Sequence, residues 1–443
     1  MYSLIDIKQL FEAMSNRLSI FYEPFLYLAI LLFLLGEGTV WLEFARKWIP
    51  VYSHSVVTTI VLVATILLGF VEGVRKEALE IITSRNMMLA ISPVILFGLA
   101  CYTDVIINMF SSNISASYIA FFVRHFLFIF LVVQALACGR PFNVITKPYY
   151  HVMLFVLLTG FCLFILSFVV DNIADKTIDI SFLRKAEEGN LGKSLYSMPY
   201  GLGLLITGQN LASFLGFDFY QFSSYFIEPQ IFGFMMVPAF IIFLQRDYKT
   251  PATVYRVPMI LVTIILIFWA HSFTTLAALI GLGLVWIGMR NIIGTVFVLI
   301  VFSLALVMVI TNLDDLSLSL SLIKKLGSES SEGSVAVFVN IWETLRLTGD
   351  GTLNIRVGDK GEYLSAMSLL FWASFVISVL INVVNELWLN KNSVFAYVLL
   401  FLLICFFKSL GHLPQSPISI YICLIFLAYR YTHEVTHRNN KLL

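Results

Sequence analysis

Long apolar runs separated by short polar connections fill the chain from end to end. A helix that crosses a bilayer needs about 20 mostly apolar residues. About twelve segments carry that pattern: 21–41, 54–72, 87–109, 117–138, 149–171, 222–244, 257–271, 273–289, 291–311, 363–383, 394–411 and 416–432. The pair 257–271 and 273–289 shares a very short connection at His271 and Ser272, which predicts a tight helical hairpin. Ahead of the first run, Leu4, Ile7, Leu10, Phe11 and Met14 fall on one side of an amphipathic helix over residues 1–18, of the kind that lies in the membrane interface. Lys8, Glu12 and Arg17 interrupt that stretch and no small-residue cleavage site follows, so it does not read as a cleavable signal.

The polar connections give an orientation. Lys and Arg gather in cytoplasmic connections. With the N-terminus inside, the inner segments hold Lys8 and Arg17; Arg75, Lys76 and Arg85; Arg140 and Lys147; Arg246, Lys249 and Arg256; Arg290; Lys391; and Arg430, Arg438 and Lys441. The short outer connections 110–116 and 412–415 and the turn at His271 carry none, and among short connections only the first, with Arg46 and Lys47, disagrees. The two long outer connections mix both signs, and long loops cross regardless of charge. Both termini are therefore expected in the cytoplasm. The chain reads as one transmembrane domain over 1–443, with an outer loop region at 172–221 and a large outer loop at 312–362. Gly201, Gly203 and Gly208 around the apolar LGLLI suggest that the first loop dips back toward the membrane.

Composition agrees with the pattern. Of 443 residues, 59% are hydrophobic and only 12% charged, about half the charge of a soluble domain. Aromatics reach 15%, as lipid-facing helices and interfacial belts require. The net charge of +1 says nothing about nucleic acid; no basic stripe occurs, and no nucleic acid partner is expected. Cys101, Cys138, Cys162, Cys405 and Cys423 show no metal or redox spacing and read as small packing residues. No P-loop and no dinucleotide fingerprint occurs, and neither a metal nor a cofactor is expected.

Against this background, a few polar residues are out of place. Ionisable groups inside a bilayer cost roughly 2.5–3.5 kcal/mol on insertion scales and mark function. Arg124 in FFVRHFLF, Lys408 in FFKSLGH and Glu228 in YFIEPQIFGF lie within apolar runs; Asp104, His125, His271, Ser272 and His412 lie near span ends. On the topology above, Arg124, Glu228, Asp104, His271, Lys408 and His412 all project into the outer half of the membrane. That one-sided placement predicts a water-accessible cavity opening outward. Two cations there favour an anionic ligand such as a lipid diphosphate, Arg as a planar fork and Lys as a point charge. The bland alternatives are an ion pair of Arg124 with Asp104 or Glu228, and Lys408 snorkelling to the interface. Pro229 disfavours helix at Glu228 and removes a donor, so the Glu-Pro pair predicts a kinked or broken span that presents the carboxylate at an irregular point. As a carboxylate, Glu228 could accept a sugar hydroxyl proton as general base. A helix-start acid favoured by the helix dipole is the other reading.

The segment 220–234, YQFSSYFIEPQIFGF, resembles the R-F-S-x-F-x-E-P-x-x-x-G signature of Wzy-type O-antigen and capsular polysaccharide polymerases, within the wider Wzy/O-antigen ligase group. Residues 267–280, IFWAHSFTTLAALI, resemble that family's short S-x-T span, and 340–351, NIWETLRLTGDG, its Trp-to-Gly loop region. Gln221 stands where members often carry Arg, Leu347-Thr348 where they carry Pro, and the outer-loop His of the ligase branch has no clear match.

The resemblance implies an all-α polytopic fold with a GT-C-like membrane glycosyltransferase architecture in a bacterial inner membrane. It implies a metal-independent transferase acting on undecaprenyl-diphosphate-linked donor and acceptor glycans at the periplasmic face, and leaves open a chain-length regulator as partner. Within it, Glu228 would be the base or acceptor-positioning group. Arg124, Arg346 and Lys408 would neutralise the departing diphosphate. His271, His412, Gln221 and Ser223 are further substrate-binding candidates. Tyr200, Tyr220, Tyr225, Trp342 and Tyr363 could stack on sugar faces. The competing readings are an O-antigen ligase or other lipid-linked glycan transferase, and a flippase or secondary transporter. The last would show paired broken helices in two matching halves, and only one Glu-Pro break is present.

Overall fold

The computed structural model describes residues 20–35, 54–110, 116–178, 196–206, 212–214, 217–226, 229–244, 256–270, 272–288, 369–389, 393–408 and 417–442. These residues are mostly helical. In chain order the helices are α1 (Ile20–Leu34), α2 (His54–Glu72), α3 (Lys76–Ile82), α4 (Arg85–Phe110), α5 (Ala116–Ala137), α6 (Phe142–Val169), α7 (Pro229–Leu244), α8 (Arg256–Ala270), α9 (Phe273–Gly288), α10 (Leu369–Leu389), α11 (Val394–Lys408) and α12 (Pro417–Leu442). Each apolar segment expected from the sequence overlaps one of them, 222–244 only over 229–244, except 291–311, which lies outside the described residues. The amphipathic stretch 1–18 and the loop 312–362 lie outside them too.

Three helices form the centre. Residues 232–239 of α7, 395–399 of α11 and 420–428 of α12 are buried on every side, which suits segments that are apolar all round. The rim helices instead leave one apolar face uncovered. On α2 this face is Val56, Ile60, Val63, Leu67 and Phe70; on α10 it is Ile377, Leu380, Ile381, Val384 and Trp388. Stripes of this size are rare on a soluble monomer. By length and composition α6 is the one described helix fit to cross a membrane, or there are two if α3 and residues Arg85–Leu96, bent by 69°, count as one span. Shorter apolar helices make up the rest of the bundle. Buried hydroxyls tie the layers together: Tyr149 of α6 donates to the Met235 carbonyl of α7, and Tyr421 of α12 to the Ile145 carbonyl at 2.7 Å.

One end of the bundle is fixed by ion pairs. Helix α5 stops at Gly139 in the left-handed region (φ 77°), with the Arg140 amide on the Ala135 carbonyl and the Gly139 amide on that of Leu136, a Schellman closure. Arg140 then forks between Glu23 of α1 and Glu72 of α2, the latter at 2.7 Å, with its guanidinium 5.5 Å from the Tyr22 ring. Nearby, Arg430 of α12 meets Glu386 of α10 at 3.1 Å, and Ser393 donates to the same carboxylate at 2.8 Å. Asn86 of α4 reaches Glu434 at 2.9 Å. The Phe142 amide donates to Thr432 at 3.4 Å, which joins the two clusters at the start of α6.

The opposite end carries short strands: β1 (Tyr196–Ser197), β2 (Leu204–Ile206), β3 (Ala212–Phe214), β4 (Phe217–Phe219) and β5 (Gln221–Ser224). β1, β2 and β5 form an antiparallel sheet in that order, and β3 pairs with β4. The sheet gives the LGLLI segment its local structure and corrects one expectation. Leu204–Ile206, within LGLLI, is strand β2 with Leu204 and Leu205 buried, so its apolarity serves a sheet. The segment 222–244 is not one helix. Residues 221–224 are strand β5, and α7 begins at Pro229. Pro229 thus opens a helix and does not kink one: its fixed φ and missing N–H suit the first helical position. The Thr177–Pro199 bridge and the Tyr200 amide on the Lys176 carbonyl sew the sheet to the chain leaving α6.

Candidate functional site

The signature-like segment sits at the sheet end, between α6, α7 and α8. Phe222 stacks on Trp269 of α8 with centroids 4.6 Å apart and planes 4° from parallel, and meets Phe232 of α7 edge-on at 5.3 Å. Gly160 makes room for it on α6: an added Cβ would lie 2.9 Å from the Phe222 ring and 2.8 Å from Leu266. Gln221 donates through Nε2 to the Ala270 carbonyl at 2.8 Å, which fixes β5 to the last residue of α8. Ser223 is buried and donates to the Phe226 carbonyl, closing the turn that leads to α7.

The two signature-like segments meet here. Ser272 caps α9, its Oγ receiving the Thr275 amide at 3.4 Å and the Thr275 hydroxyl at 3.1 Å. Thr275 in turn lies against Gly233 of α7, so closely that a Cβ at Gly233 would overlap its Oγ1. Only glycine allows α7 and α9 this approach. The hairpin turn between Ala270 and Ser272 is therefore held from β5 on one side and from α7 on the other.

Three non-glycine residues of this end lie in the left-handed region, among them Asn172 at φ 52°. Ser224 and Tyr200 both have positive φ, 56° and 50°. For residues other than glycine such conformations cost of order 1–3 kcal/mol. Ser224 is fully buried, and its Oγ has no hydrogen-bond partner among the described residues. Tyr225 is buried, stacks on Phe155 at 5.3 Å and donates to the Gly201 carbonyl at 3.0 Å. Tyr225 and Phe226 also wall a cavity of about 260 Å³ with Leu31 of α1 and Phe155 of α6. Tyr27 and His151, hydrogen-bonded at 2.9 Å, line the same cavity.

The remaining sequence candidates are placed as follows. Arg124 is buried on α5, 6% exposed, beside His125, whose ring meets Phe33 edge-on at 5.2 Å. Helix α5 packs on α2, α3, α4 and α12. Lys408 ends α11, which starts next to Glu386 and runs away from the ion pairs. Glu228, His271, Arg346 and His412 lie outside the described residues. The flanking residues of two of them are described: Phe226 and Pro229 around Glu228, Ala270 and Ser272 around His271. The structure thus joins Gln221, Ser223 and the neighbours of Glu228 and His271 in one region.

Sequence reading missed the part played by Gly233, Thr275 and Ser224. The spacing of Ser272 and Thr275, three apart at a helix start, was the available signal for the cap. Among the cysteines, Cys138 and Cys423 are buried, and Cys162 is exposed on α6. Comparisons of the chain with family models, with curated proteins and with solved structures found no match.

Proposed function

We propose that the chain is a GT-C-like membrane glycosyltransferase that polymerises undecaprenyl-diphosphate-linked oligosaccharide repeat units into O-antigen or capsular polysaccharide at the periplasmic face of a bacterial inner membrane. The observation that carries this reading is the meeting of Gly233 with Thr275: two segments far apart in sequence, both resembling polymerase motifs, close on one hairpin turn. The Gln221 bond to Ala270 supports it from the other side. The uncovered apolar faces of the rim helices support a bilayer around the bundle, with about twelve spans.

The chemistry is a displacement at the anomeric carbon of the growing chain. The acceptor hydroxyl oxygen bonds to that carbon, the bond to the lipid diphosphate breaks, and the hydroxyl proton passes to Glu228. Arg124, Lys408 and Arg346 offset the charge that develops on the leaving diphosphate. His271 and His412 assist at the same face, and a position at the start of α7 suits a carboxylate at Glu228.

The test is the banding of surface polysaccharide from a deletion strain complemented with the wild type, Glu228→Ala or Arg124→Ala. A polymerase predicts a single repeat unit in the deletion and in both variants, and a full ladder with the wild type. Loss of every repeat unit in the deletion would point to a ligase or flippase. A full ladder from both variants at normal protein level would remove these residues from the site.

A further inference from the structure

We infer that Tyr200 is a stacking platform for the sugar chain at the mouth of the site, an assignment that rests on the polymerase reading above. The turn between β1 and β2 is built to present this ring. The Tyr200 amide donates to the Lys176 carbonyl at 3.2 Å, the Gly201 amide to Met198 at 3.2 Å and the Leu202 amide to Pro199 at 3.0 Å. These bonds hold Tyr200 at φ 50°, in the left-handed region that an aromatic residue rarely adopts. Its ring is 52% exposed and makes no hydrogen bond or ring contact among the described residues. No hydrogen bond or ring contact among the described residues explains the ring, and glycine would suit the backbone better.

The turn is coupled to the candidate site by two routes. Strand β2, which follows it, pairs with β5, with Leu205 opposite Phe222 and Ile206 opposite Gln221. The Tyr225 hydroxyl bonds the carbonyl of Gly201, the residue after Tyr200. Tyr200 thus moves with the segment that leads into Glu228. Asp175, Lys176 and Thr177 are exposed on the neighbouring strip. A ring for the C–H face of a sugar, beside the acid of Asp175 and the amine of Lys176 for its hydroxyls, is the chemistry of a carbohydrate site, while the Thr177 hydroxyl is taken up by the Ile178 carbonyl and the Met198 amide. Tyr225, the other candidate of this segment, is buried against Phe155 and unavailable for that role.

The experiment uses the full chain in lipid nanodiscs and short oligosaccharides cut by mild acid from the cell's own surface polysaccharide. Binding is read by saturation-transfer NMR, and folding by thermal unfolding. Tyr200→Phe and Tyr200→Trp are expected to bind as the wild type does. Tyr200→Ala and Tyr200→Gly should weaken binding roughly fivefold with unfolding unchanged. Because Gly relieves the backbone, recovery of binding in Tyr200→Gly would assign the effect to the turn and overturn the platform. Wild-type binding in Tyr200→Ala would overturn it too, leaving the ring as an interfacial lipid anchor. So would failure of Tyr200→Phe, or absence of binding to the wild type. The polymerase reading fails separately, if the deletion strain keeps its ladder.

Discussion

At the start of α6, Arg140 holds Glu23 and Glu72, and Arg430 holds Glu386, so each of these charges faces an opposite one. At the other end of the same helix, about 40 Å away for its 28 residues, the described contacts are neutral: Gln221 to a carbonyl, Ser272 to Thr275, Tyr225 to Gly201. The first end uses charge to lock helix termini together. The second uses hydroxyls, glycines and a small strained sheet. Buried polar atoms without a partner among the described residues occur at both ends, Glu72 Oε2 and Arg140 Nε as well as Ser224 Oγ, so what separates the two ends is the positive φ of non-glycine residues at the sheet end. On the function proposed above, the ion-pair end holds the fold and the sheet end handles the ligand.

Glu386→Ala tests that division most severely. It leaves Arg430 and Ser393 facing an uncompensated site where both ionic partners are largely buried, and should cost about 3–5 kcal/mol. Thermal unfolding of the purified protein would show the loss. Activity per folded molecule should hold, and the paired change Glu386→Leu with Arg430→Met should restore most of the stability. A ladder lost at normal folded level would break the comparison, because the ion-pair end would then serve the chemistry.

Gly233→Ala is the corresponding change at the sheet end. The added Cβ overlaps Thr275 Oγ1, so α7 and α9 must part, at about 1–3 kcal/mol. The chain should still fold, yet lose polymer, because the turn around residue 271 shifts. Thr275→Gly in the same chain should bring the ladder back. Without that rescue, Gly233 would have no link to the site through Thr275.

The sequence made the helices legible because apolar length is read directly from composition. The boundaries of α2, expected over 54–72, agree to the residue. Helix α6 begins at Phe142, earlier than the expected 149, because Tyr149 and the residues before it pack against α12 and α7. Strand β5 was read as helix because Phe222, Tyr225 and Phe226 are apolar whichever element they occupy, and a short apolar run has no diagnostic period. The Glu-Pro pair marked a break in the apolar run, but Pro at a helix start and Pro at a kink look alike in sequence. The closeness of Gly233 to Thr275 depends on how two helices cross, and no local pattern encodes that. Arg140 was legible as an inner charge; its two carboxylate partners come from α1 and α2, far away in the chain.

The smallest expected effect separates those two partners. Glu23 is 51% exposed, so its pair with Arg140 is screened by water, and Glu23→Ala should change stability by no more than about 0.5 kcal/mol. Glu72 is 17% exposed and meets a guanidinium only 19% exposed, so Glu72→Ala should cost about 2 kcal/mol. Thermal unfolding at low and high salt distinguishes them: the Glu23 contribution should vanish with salt, and that of Glu72 should persist. Equal effects would mean that Arg140 is held by its fork as a whole. The ion-pair end would then be a single network, and the charge on α1 would matter as much as the buried one on α2.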